Sequence, residues 1–203
     1  MDSPRIRRST ELRRAEIVKA VLELAAESSP ADVTTVRIAA AMQLTQGAVF
    51  RHFPTKEAIW LAVADWIEEN LLGAVEEASL SSSEPIEQLR AMFRAHIGFA
   101  VAHPGAPRLI FHELQQPGDS AVKRRIRALL GSYRGTLLQV LKCAREGEVV
   151  GRELNVEHAA TLFVGAIQGL VMQSMLAGGM RGVEESADGV FEVYLSGIAG
   201  RRA

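Results

Sequence analysis

Apolar residues recur at every third or fourth position through nearly the whole chain, and no segment alternates apolar with polar side chains as a half-buried strand would. A chain patterned this way buries its stripes by packing helix against helix, so the expected fold is all-α with about nine helices. Caps and prolines divide it. Helices are expected over 10–27, 35–42, 45–53, 55–78, 86–102, 107–115, 120–146, 159–180 and 183–199. Ala15, Val18, Val21, Leu22 and Ala25 form the apolar stripe of the first. Ile59, Val63, Trp66, Ile67 and Leu71 form that of the fourth. The first three helices and the start of the fourth make a compact head, and the rest a larger bundle.

The run Thr34–Phe53 departs from ordinary core patterning. It reads as two short helices joined by a tight turn, and the second carries Gln46, Arg51 and His52 where a core helix would be apolar. Such a helix suits the major groove of DNA. Gln46 can bond adenine and Arg51 guanine, each in a bidentate way. Gly47 removes a side chain, so the helix can approach closely, with Ala48 beside it. Thr45 can cap the helix and bond a phosphate, and Lys56 and Arg37 are further backbone candidates. Overall charge does not make the chain a basic coat, for its formal net charge is −1. The first fourteen residues nevertheless hold Arg5, Arg7, Arg8, Arg13 and Arg14 against Asp2 and Glu11, a basic arm suited to phosphate or simply a solvated tail.

With these residues in view, positions 11–71 resemble the DNA-binding domain of the TetR/AcrR family of transcriptional regulators. The resemblance rests on Thr35-Val36-Arg37-Ile38-Ala39, on Gln46-Gly47-Ala48-Val49-Phe50-Arg51-His52-Phe53, and on Lys56-Glu57-Ala58-Ile59. It implies a helix-turn-helix head at 11–71 and an effector-binding and dimerisation domain at 72–203. It also implies a homodimer on a double-stranded, roughly palindromic DNA operator, released by a small-molecule effector. Two positions depart from the family pattern. Gln43-Leu44-Thr45 stands where the turn usually begins with glycine, and a non-glycine residue in a left-handed turn costs about 1–2 kcal/mol. Phe50 stands where tyrosine is usual, keeping the packing and lacking the hydroxyl that would bond a phosphate.

Helix five has two apolar faces. Met92, His96, Phe99 and His103 form the second, and with Trp66, Phe111, Tyr133 and Met172 they can line a pocket for a small, mostly apolar ligand, or can simply be core. His96, His103, His112 and Glu113 also permit a metal reading, although a two-turn spacing needs ligands from other helices. No metal and no cofactor is expected. Gly165, Ala166 and Gly169 allow close helix approach, and Phe191, Tyr194 and Ile198 supply apolar area, so the last two helices are expected to form the dimer. The uncharged stretch Ala159–Met180 is long enough to span a bilayer. Gln168, Gln173 and Ser174 interrupt it, and a buried helix of a soluble dimer explains it better.

The single cysteine, Cys143, excludes an internal disulfide and a cysteine-rich zinc site. The N-terminal arginines lead into no apolar stretch, so no secretory signal is expected and the protein reads as cytoplasmic. Two rivals remain. An adaptor could use the head to grip a protein. A helical enzyme would need a phosphate loop or an acid–base–nucleophile set, and the sequence signals neither. The sign of regulation, repressor or activator, is not encoded.

Overall fold

A computed structural model describes residues 4–199, with side chains described from Thr10 onward. Asp2 and the side chains of Arg5, Arg7 and Arg8, part of the expected basic arm, lie outside the described residues. Among the described residues the chain is all-helical: α1 (Pro4–Glu27), a 3-10 turn (Pro30–Asp32), α2 (Thr35–Ala41), α3 (Gln46–His52), α4 (Lys56–Ser79), α5 (Pro85–Ala102), α6 (Gly105–Gln115), α7 (Ala121–Glu146), α8 (Val156–Leu176) and α9 (Val183–Ile198). The caps act where the sequence places them. Thr34, Thr45 and Thr55 accept from the backbone N–H groups of Arg37, Ala48 and Ala58 at 3.3, 3.2 and 3.0 Å. Helix α1 begins earlier than expected, and α8 ends at Leu176, ahead of Gly178 and Gly179 in left-handed or extended backbone.

The chain resolves into two compact units. One comprises the residues up to Glu68 together with His103–Arg127; the other comprises Glu69–Ala102 and the residues from Ala128 on. In the first, α1, α2 and α3 enclose Ile17, Val18, Val21, Leu22, Ile38, Val49 and Phe53. Ala15 is exposed rather than part of the stripe, because Ile17 and Ala20 complete that face. Helix α6 packs against α1 in this unit, closely enough that a Cβ on Gly105 would lie 2.0 Å from the Leu22 carbonyl oxygen. Arg125, at the start of α7, pairs with Asp65 and Glu68 of α4.

In the second unit α5, α8 and α9 pack around Phe93, whose ring meets those of Phe163 and Phe191 at 5.3 and 5.5 Å. Tyr194 joins the cluster 5.4 Å from Phe163. Arg94 binds both carboxylate oxygens of Asp188 at 2.7 and 3.0 Å, and Arg90 pairs with Glu192. By length and composition α8 could cross a membrane. Its face of Val156, Ala159, Ala160, Phe163, Ile167 and Val171 is buried within this unit, which accounts for the apolar run.

Candidate functional site

Helix α3 is seven residues long and strongly two-sided. Val49 and Phe53 are fully buried against the unit's core, which leaves Gln46, Gly47, Phe50 and Arg51 exposed and Ala48 and His52 half-buried. The turn that aims α3 is closed by Gln43 at φ 55°, the left-handed conformation that its place in a glycine position requires. The Leu44 N–H bonds the Ala39 carbonyl at 2.8 Å, so the turn is held although its first residue is not glycine.

The exposed face is polar and basic. Arg51 makes no hydrogen bond or ion pair among the described residues. Arg37 reaches only the Asp32 carbonyl at 3.3 Å, and the Lys56 ammonium lies 5.4 Å from the Trp60 ring centroid. None of the three is neutralised by a carboxylate, so all are available to phosphate or to a base edge. The Thr45 oxygen accepts the capping bond and its hydroxyl proton remains free to bond a phosphate.

Several side chains are placed otherwise than the sequence suggested. The Gln46 Nε2 donates to Thr35 Oγ1 at 2.8 Å, so bidentate adenine contact requires that bond to be exchanged. Thr35, an equal candidate for the cap of α2, instead positions Gln46. Phe50 does not keep a core packing role, for it is 40% exposed. The Nδ1 of His52 is enclosed without a partner among the described residues. Arg13 pairs with Glu16 at 2.7 Å, and Arg14 turns inward onto α3. The described part of the arm is therefore engaged within the protein. Val36, 59% exposed beside Arg37, joins this surface; its place after a cap residue was the signal available in the sequence.

The expected pocket residues are divided between the units. Trp66 and His103 meet edge to face at 4.8 Å in the first unit, which also holds a half-buried Phe111. In the second, His96 Nδ1 and the Tyr133 hydroxyl lie 3.2 Å apart, with Phe99 half-buried. Burial lowers the His96 pKa to about 4 and raises that of Tyr133, so both groups are neutral at pH 7. Met92 is fully buried core, and Met172, 41% exposed on α8, lines no interior space in the single chain. Among the described residues no three metal-ligating side chains cluster.

The dimer residues need correction. Phe191, Tyr194 and Ile198 face inward and are buried, because α9 turns that stripe toward α5 and α8. Outward-facing apolar area on these helices comes instead from Leu162, Met172, Leu176 and Val193, with Gly165 exposed and Ala166 and Gly169 half-buried beside them. Cys143 is exposed rather than packed.

Residues 17–63 match the family described as bacterial regulatory proteins, tetR family, and residues 89–198 match the tetracyclin repressor-like C-terminal domain. The nucleoid occlusion factor SlmA of Shewanella amazonensis is 24% identical over 163 residues, spanning 79% of this chain and 82% of that protein. In fold, the chain is similar to the fatty acid degradation regulator FadR from Bacillus halodurans, with a TM-score of 0.81 at 17% identity over 99% of this chain and 100% of that one. It is also similar to FadR from Bacillus subtilis in complex with stearoyl-CoA, with a TM-score of 0.79 at 20% identity over 91% of this chain and 98% of that one.

Proposed function

The chain belongs to the tetR family of bacterial regulatory proteins and is a DNA-binding transcriptional regulator, and on that premise we propose that it is a homodimeric repressor released from a palindromic operator by a small, mostly apolar effector. The observation that carries this reading is the face of α3, where Gln46, Gly47 and Arg51 stand exposed opposite a fully buried Val49 and Phe53. We assign DNA binding to 11–71 and effector binding and dimerisation to 72–203. This functional division differs from the division by packing, in which His103–Arg127 joins the first unit.

Leu162, Met172, Leu176 and Val193 are the apolar surface for the two-fold partner, with Gly165, Ala166 and Gly169 allowing close approach. A two-fold dimer sets two α3 helices about one turn of DNA apart. The effector site is assigned around His96, Phe99 and Tyr133. Neutral imidazole and phenol favour a neutral hydrogen-bonding group on an apolar ligand over a free carboxylate. A long-chain acyl thioester, the kind of ligand bound by the Bacillus subtilis neighbour, is the first candidate. The effector acts by binding the state that cannot seat both heads more tightly than the state that can, and α4, continuous from Lys56 to Ser79, is the element that responds. The protein acts in the cytoplasm and catalyses no reaction.

Footprinting on DNA upstream of the protein's own gene, with and without stearoyl-CoA and other apolar candidates, tests the proposal. Protection of a palindrome that one ligand abolishes is the expected result. With Arg37, Arg51 and Lys56 in each of two heads, affinity should fall with salt at a log–log slope on the order of −5. Absence of protected DNA refutes operator binding, and protection that no ligand alters refutes effector release. A second reading, nucleoid occlusion, is favoured by the relatives that match four-fifths of the chain. Genome-wide mapping separates the two: a regulator occupies promoters, whereas an occlusion factor occupies sites dispersed along the nucleoid.

A further inference from the structure

We propose that Arg14 is a positioning residue that holds the recognition helix from outside it, so that DNA affinity depends on a guanidinium that touches no DNA. The inference rests on α3 being the DNA-reading helix. Arg14 lies on α1, and its Nη1 donates to the His52 carbonyl at 3.0 Å. Its guanidinium carbon sits 4.2 Å from the centroid of the buried Phe53 ring. One planar group thus binds the last residue of α3 and stacks on the residue that follows it.

The need for such a contact follows from the length of α3. A helix of seven residues has almost no stability of its own, and its last carbonyls have no partners within the helix. Thr45 secures the first turn through the Ala48 N–H. Val49 and Phe53 fix one side, yet burial alone does not set the rotation of so short a helix about its axis. Arg14 supplies the missing restraint at the far end, with a cation where the helix dipole favours one. Lysine cannot replace it, because an ammonium cannot donate to the carbonyl and lie flat on the ring together. The same geometry removes Arg14 from the phosphate-attracting arm to which sequence reasoning assigned it.

The test compares Arg14→Lys and Arg14→Met with the unaltered protein, at a temperature where circular dichroism shows all three folded. Two readouts are taken: amide hydrogen exchange over Val49–Phe53, and affinity for a duplex selected from a randomised pool by the unaltered protein. Both variants should exchange faster at these amides while α8 is unchanged, and both should bind about tenfold more weakly with the salt slope preserved. A lysine variant that retains affinity, or a slope reduced by about one in the methionine variant, marks a phosphate contact and overturns the proposal. Unchanged exchange overturns it as well, as does exchange that rises equally in α8, which marks a purely global effect. Should Arg14→Met fail to fold, Arg14→Lys carries both measurements. If the unaltered protein selects no duplex, the DNA-reading premise fails by that result, and exchange still decides whether Arg14 anchors α3.

Discussion

Replacing Gly105 by alanine tests the contact between α1 and α6 directly. The new Cβ would lie 2.0 Å from the Leu22 carbonyl oxygen, 2.9 Å from its carbonyl carbon and 3.1 Å from the Ala26 nitrogen. All three are backbone atoms, so no side chain can swing aside. Real Cβ atoms essentially never approach within 3.0 Å, so the two helices must part by at least 3.0 − 2.0 = 1.0 Å along that line. The contact they would open includes Ala106 and Leu109 of α6 and Leu22 and Ala25 of α1, all buried. A gap of that size forfeits roughly a quarter to a half of the dispersion attraction across it. Overpacking of this kind costs about 1–3 kcal/mol, offset by about 0.5–1 kcal/mol because alanine is the better helix former. The net loss should lower the unfolding midpoint by about 2–4 °C per kcal/mol for a chain of this length. Thermal melts at one fixed protein concentration read it, since dimerisation makes the midpoint concentration-dependent. Gly73→Ala is the control, for its Cβ meets nothing within 4 Å on exposed α4, and it should be neutral or stabilising. A Gly105→Ala protein as stable as the parent would show that α6 does not approach α1 this closely.

Gly47→Ala should leave the fold intact, because its Cβ enters open space, but weaken operator binding by the loss of close approach; equal affinity in a gel shift would remove Gly47 from the interface. Gln43→Gly relieves the left-handed strain at φ 55° and should raise stability by up to about 1 kcal/mol in urea unfolding, where a loss would contradict the strain argument. The His96 pKa of about 4 against an unfolded value near 6.5 gives a pH dependence of definite sign. The unfolded chain takes up the proton first, so the stability His96 contributes is present above pH 6.5 and is lost as pH falls toward 4, on the order of 3 kcal/mol in all. Urea midpoints across that window should fall more steeply for the parent than for His96→Gln, and parallel curves would exclude His96 as the cause. Leu162→Glu combined with Leu176→Glu changes side chains exposed in the single chain, and sedimentation should find a folded monomer that no longer binds operator; an intact dimer would move the interface elsewhere.

Much of the architecture was legible along the chain because helix formation here is local. Thr34, Thr45 and Thr55 each announce a helix start, and a cap needs only the next three residues to act. The run 45–53 also disclosed its two-sided character, since Val49 and Phe53 are four apart and the polar residues lie between them. Pairings across long stretches of chain were hidden. No spacing rule connects Arg14 with His52, or Arg94 with Asp188. The dimer residues were misjudged for the same reason. Periodicity showed that Phe191, Tyr194 and Ile198 share a face of α9, but not whether that face meets α5 and α8 or solvent.

The sequence by itself determined which stretches are helices, where they start, and which short helix carries base-reading chemistry, because caps, periodicity and residue type act within a turn or two of chain. Only tertiary packing decided which apolar stripe became core and which stayed open, where α6 packs, and that an arginine from α1 closes the end of α3. Those outcomes depend on which surfaces meet, and burial has no direction until neighbouring helices give it one.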